Sequence, residues 1–97
     1  MASFTTRVVL HNATFEDYEK LHEQMEARKF TRKIKGADGT TYTLPDAEYR
    51  SISSTLDAAG VRQLAVDAAS KTRRNHAVFV TMSTTDSCAW VGLEAVE

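Results

Sequence analysis

Phe4-Thr5-Thr6-Arg7-Val8-Val9-Leu10-His11-Asn12-Ala13-Thr14-Phe15-Glu16-Asp17-Tyr18 is the stretch that decides the fold, because its side-chain period changes midway. Up to His11 the period is two. Phe4, Thr6, Val8 and Leu10 share one face of a strand, and Thr5, Arg7, Val9 and His11 share the other. Asn12-Ala13-Thr14 then breaks the alternation. Thr14 and Asp17 have capping-box spacing, with Asp in place of the usual Glu or Gln, and Glu16 also favours a helix N-terminus. Tyr18, Leu21 and Met25 follow at helical spacing, with Glu16, Glu19, Glu23 and Glu26 left for the wet side. A strand feeding a helix over 15–28 is predicted.

Beyond that unit the period returns to two over 30–35, and Gly36-Ala37-Asp38-Gly39 is a strong turn signal into a second β-rich run over 40–44. Pro45 removes a ladder donor and marks an edge, a bulge or a break; Tyr49 to Ser53 resumes the same strand with Ile52 inward. Ser54 or Thr55 caps a second helix whose stripe is Leu56, Val61, Leu64, Ala65 and Ala68. Ala77 to Met82 reads as a strand apolar on both faces, Thr84 to Ser87 as a turn, and 88–96 as a last short strand. The order β, α, β, β, α, β with an extra C-terminal strand is that of an α+β, ferredoxin-like sandwich: one antiparallel sheet with both helices on one face. The open face is then solvated or covered by another subunit.

The chain has 97 residues, enough for one domain spanning 1–97. Its 42% hydrophobic and 26% charged content exclude global disorder. The one cysteine, Cys88, excludes an internal disulfide framework and a cysteine-rich zinc site. No apolar run reaches the ~18 residues of a membrane span, and no charged-then-apolar leader precedes Phe4. A soluble cytoplasmic domain without cofactor or metal is the expectation. The formal charge of −1 removes the simplest argument for nucleic-acid binding.

Charge is nevertheless unevenly spread. Residues 15–26 hold five acids and one base, whereas 28–35 hold Arg28, Lys29, Arg32, Lys33 and Lys35 and no acid. That basic run reads either as a surface that tracks phosphates or as a solvated edge strand whose lysines discourage edge-to-edge pairing. His11, His22 and His76 lack the local spacing of a metal site, and the His22–Glu26 pair has no second histidine on its helix face. His11 stands out because it ends a strand beside a helix N-terminus. Phosphate loops, nucleophile elbows and paired-cysteine motifs are absent.

Arg7-Val8-Val9-Leu10-His11-Asn12-Ala13-Thr14, the pairs Asp17-Tyr18 and Leu21-His22, and the step Met25-Glu26 occur together with Gly39-x-x-Tyr42-x-Leu44-Pro45-x-Ala47-Glu48-Tyr49 and Trp90-x-Gly92-Leu93. Across nearly the whole chain this resembles the small bacterial proteins grouped as the GhoS-like antitoxin family. The resemblance implies a ferredoxin-like fold, similar to the CRISPR-associated endoribonucleases, and an endoribonuclease antitoxin that cuts single-stranded toxin messenger RNA. Those CRISPR relatives place an aspartate at the end of the first strand; here the place is held by His11-Asn12, a poor ligand pair for a hard cation. A metal-free reaction needs a base for the ribose 2′-hydroxyl and a cation for the phosphate. His11 with Arg7 or Arg32 supplies both, provided they converge.

The alternative is a non-catalytic ferredoxin-like dimer, of mobile-element type, that binds a protein or RNA partner. Either reading leaves an apolar open face, so a homodimer is expected with Trp90, Val91 and Leu93 at or near its interface.

Overall fold

A computed structural model describes residues 2–45, 47–84 and 89–96. Strand β1 (Ala2–Leu10) runs into helix α1 (Phe15–Ala27); a short hairpin follows, β2 (Lys33–Lys35) and β3 (Thr41–Thr43). Then come β4 (Glu48–Ser53), helix α2 (Ala58–Ser70) and β5 (His76–Ser83). The protein is a small α+β domain. β1 is the central strand of the order β4-β1-β5, antiparallel to both neighbours, and β2 pairs antiparallel with β3. One bridge, Thr31↔Arg50, joins the hairpin to β4 through two backbone hydrogen bonds of 2.8 and 2.7 Å.

The alternation in β1 is realised in full. Phe4, Thr6, Val8 and Leu10 are all buried, and they meet Leu21 and Met25 of α1 and Val61, Ala65, Ala68 and Ala69 of α2. Both helices therefore cover one face of the sheet. The capping box forms as read: the Asp17 amide donates to Thr14 Oγ1 at 3.3 Å, and the Thr14 amide donates to Asp17 Oδ2 at 2.9 Å. Gly36 to Gly39 makes the hairpin turn, with Gly39 at φ +83°, a conformation that glycine adopts without a Cβ penalty.

Four expectations change. Residues 48–53 do not resume the second hairpin strand; after the break at Pro45, with Ala47 at φ 71°, they form a separate strand against β1. Their register, Tyr49 opposite Thr6, turns Tyr49 inward and leaves Ile52 outward at 68% exposure. Helix α2 is capped by Asp57, whose carboxylate accepts the Gly60 amide at 2.8 Å; the Ser53 hydroxyl instead takes the Thr55 and Leu56 amides into a local turn. Leu56 therefore precedes the helix and is exposed. In place of a last strand, the described residues 89–96 make one bridge, Ala95 to Tyr42, with the Thr43 amide donating to Glu94 O and the Val96 amide to Thr41 O. Most of the turn expected at 84–87, and Cys88, lie outside the described residues.

Candidate nucleic-acid interface and an adjoining cavity

The face of the sheet away from the helices takes every second residue of each strand. Register aligns Arg7 of β1 between Glu48 of β4 and Phe79 of β5, Thr5 between Arg50 and Thr81, and Ser3 between Ile52 and Ser83. Phe79 is 70% exposed. An aromatic ring thus stands in water beside a guanidinium on the neighbouring strand. The Thr31↔Arg50 bridge extends this face toward the hairpin, where Lys33 and Lys35 alternate onto the side of Thr31. Lys29, Thr31 and Lys33 line a cavity of about 320 Å³ with Arg50 and Ile52. Among the described residues the face carries Arg7, Lys29, Lys33, Lys35 and Arg50, with Glu48 opposite Arg7.

The helix side is different in kind. A cavity of about 490 Å³ lies between α1 and the hairpin. Its helical wall is Glu19, His22, Glu23 and Glu26; its other wall includes Thr31, Arg32, Lys33 and Thr43, with Phe30 and Tyr49 completing the lining. His22 Nδ1 is 2.6 Å from the hydroxyl of Tyr49, whose side chain is fully buried, and the two rings tilt at 58°. The imidazole is held in one orientation by a rigid partner.

The sequence-derived trio does not gather in this cavity. Arg32 lines it; Arg7 is on the opposite face of the sheet; His11 is exposed just past β1, its amide donating to the Asn75 carbonyl at 2.8 Å. Arg7 and His11 are four steps apart along extended chain, roughly 13 Å at ~3.3 Å per residue. The basic run also divides. Arg28 closes the end of α1, donating to the Gln24 carbonyl and side-chain oxygen at 3.0 and 2.9 Å, while Lys29, Lys33 and Lys35 belong to the open face. Trp90 packs edge-on against Tyr42 at 5.7 Å, Leu93 is half-buried and Val91 is 94% exposed.

Two features escaped the sequence. His22 finds its partner 27 residues away, which no local spacing encodes. Asp17 accepts a 2.8 Å charged hydrogen bond from Arg74 Nε. The Thr14 amide, and after it Arg74, holds the Asp17 carboxyl below its ordinary value. Asp38 is likewise lowered, by the Thr40 amide first and then the Tyr42 hydroxyl, and the same bond pushes Tyr42 up.

The fold and site define a small α+β protein with a basic, partly apolar sheet face. Compared with known proteins, the chain matches no family model, no curated protein and no solved structure. Among the described residues, no helix is long and apolar enough to cross a membrane.

Proposed function

We propose that this protein binds single-stranded RNA on the open face of a ferredoxin-like sheet, as a cytoplasmic, GhoS-like antitoxin acting on toxin messenger RNA. The observation that carries the reading is Phe79, exposed and directly opposite Arg7 across the β1–β5 pair, on a face where Arg7, Lys29, Lys33, Lys35 and Arg50 gather among the described residues. Base–aromatic stacking contributes about 1–3 kcal/mol per base without sequence preference, and lysines and arginines along the backbone supply the salt-dependent remainder. The ferredoxin-like plan is supported by the order β5-β1-β4 with Thr31 bridged to Arg50, which puts the strand after each helix two positions from the strand before it. Fluorescence anisotropy with labelled AU-rich RNA tests the binding: micromolar affinity that weakens steeply with salt is expected, and no binding at 50 mM salt overturns it.

Endoribonuclease activity is the further step implied by the family resemblance. Incubating the protein with AU-rich RNA, with and without EDTA, tests it; RNA that stays intact at high protein concentration leaves a binding protein only.

A homodimer is the second proposal, favoured by the 94% exposure of Val91 close to Trp90 and Leu93. Symmetric pairing of the open faces would bring Arg7 and the hairpin lysines against their own copies, so the 89–96 segment is the better contact. Light scattering should give twice the 10.8 kDa chain mass, and Val91→Glu should halve it. A monomer at micromolar concentration removes the proposal.

A further inference from the structure

We infer that the 490 Å³ cavity between α1 and the hairpin is a pocket for one guanine nucleotide of the bound strand. The inference rests on the RNA-binding reading above and assigns a base preference to it.

The lining is the starting point. One wall offers two cations, Arg32 and Lys33, and the facing helix offers three carboxylates, Glu19, Glu23 and Glu26. A site for phosphate alone would be opposed by the carboxylates, and a site for a cation would be opposed by the guanidinium. A nucleotide with an anionic phosphate at one end and a donor-rich base at the other matches both walls. Among the RNA bases, guanine presents two adjacent donors, N1–H and the N2 amino group, and a carboxylate is an acceptor only. Adenine and cytosine place a ring acceptor beside their amino group, and uracil flanks its one N–H with two carbonyls. Each would set a lone pair against a carboxylate oxygen. Unstacked RNA bases are read on such edges and stacked on planar side chains, histidine among them.

His22 supplies the planar side chain. Its ring is fixed by the 2.6 Å contact to the buried Tyr49 hydroxyl, so stacking a base on it orders little that is not already ordered. The volume lies within the ordinary 300–1,000 Å³ range of small-molecule sites. The cavity is also continuous with the open face in its lining: Thr31 and Lys33 border both it and the 320 Å³ cavity that includes Lys29 and Arg50. A strand lying on the sheet can therefore turn one nucleotide past Lys33 toward His22.

Two measurements on the full chain test this. In the first, 5′-GMP or AMP is titrated while the His22 ring signals are followed by NMR; GMP should shift them at millimolar concentration and AMP should not. In the second, anisotropy compares uridine heptamers carrying one central guanosine, inosine or adenosine. Guanosine should bind about tenfold tighter than adenosine, with inosine, which lacks the 2-amino group, between them. At least one of Glu19→Gln, Glu23→Gln and Glu26→Gln should erase that preference, bringing the guanosine and adenosine heptamers to equal affinity. These are exposed helix positions, so folding is not at stake. Equal affinity for all heptamers, with His22 indifferent to GMP, overturns the pocket and leaves the RNA reading standing. GMP seated at His22 with no heptamer bound overturns the RNA reading and keeps the pocket.

Discussion

The open sheet face gathers bases and the exposed side of α1 gathers acids, although the whole chain carries a formal charge of only −1. Both surfaces come from adjacent stretches of sequence. In 15–26 the acids fall on a helix and flank the buried Leu21–Met25 stripe; in 28–35 Arg28 closes the helix, Lys29 follows at φ 69°, and Arg32, Lys33 and Lys35 fall on an extended segment that deals them alternately to its two sides. The period of the secondary structure, not the composition, decides how dense each patch becomes. A near-neutral total therefore says nothing about whether one face can hold a polyanion.

Breaking the basic face should have the largest effect. Phe79→Ala should weaken single-stranded RNA by about tenfold at low salt, within the ~1–3 kcal/mol of a stacked base. Arg7→Glu should cost at least as much and lower the slope of log affinity against log salt by about one, because it removes a phosphate contact. Glu16→Lys on α1 is the control: it adds a cation on the other surface and should leave the slope unchanged. Anisotropy across 50–300 mM salt reads all three. If Phe79→Ala binds as wild type, the aromatic on this face plays no part.

Breaking the N-terminal cap of α1 should move stability and leave the open-face RNA contacts unchanged. Thr14→Ala removes half of the capping box and should cost about 1 kcal/mol, a drop of roughly 4–8 °C in Tm for a domain of this size. Acid reaches the same element through Asp17. Its carboxyl is held below 3.8 in the folded chain, so the ionised form stabilises the fold; that contribution is complete above about pH 4 and is lost as pH falls through the lowered value. Asp38 adds to the loss over the same range. Asp17→Asn should flatten the acid limb of a Tm–pH profile, and an unchanged limb would count against the Thr14 and Arg74 contacts.

The two faces can also be compared with one pair of substitutions on one strand. Thr6 is fully buried on the helix side, and its hydroxyl has no hydrogen-bond partner among the described residues; Thr5, next to it, belongs to the open face and is half-buried. A buried unsatisfied hydroxyl costs about 1–3 kcal/mol, so Thr6→Val should raise stability by about 1 kcal/mol, while Thr5→Val should change it by less than half that. Chemical denaturation at constant m-value measures both.

What the sequence made legible follows the range of the interactions. β1, α1 and the hairpin turn were readable because alternation, the Thr14–Asp17 spacing and Gly39 are local signals. The outward Ile52 was not, because a short strand that is apolar at Tyr49 and Ile52 alike has no face until its register against β1 is set. Ser54, Thr55 and Asp57 are three good capping residues within four positions, and nothing local favours Asp57 over the other two. The site was the least legible part. Arg7 and Arg32 are similar in sequence and end on opposite faces, and the His22–Tyr49 pair exists only through tertiary packing.

The smallest effect expected concerns Gly36, where the hairpin meets the C-terminal segment. Its backbone needs no positive φ, so alanine is not strained there, and the stiffer unfolded chain should favour folding by about 0.4–1 kcal/mol. Against this, a Cβ would stand 2.9 Å from Asp38 Oδ1, 3.2 Å from Tyr42 Cε2 and 3.3 Å from Trp90 Cζ2. The carboxylate is the end of a flexible side chain and moves most easily, but moving it lengthens the 3.0 Å bond from the Tyr42 hydroxyl. That bond is the main reason Tyr42 titrates above 10.0, and its contribution is present below that pH and lost as pH rises through the raised folded value. Gly36→Ala should therefore leave stability at neutral pH within about 1 kcal/mol of wild type while returning Tyr42 toward its ordinary pKa. The Trp90 emission should shift as its edge contact with Tyr42 opens. RNA affinity should not change, since Gly36, Asp38, Tyr42 and Trp90 are not among the cations and the exposed aromatic that form the RNA face. A Tyr42 titration that does not move in this variant would show that the Asp38 carboxylate stays in place and that the three-way contact around Gly36 is looser than its distances.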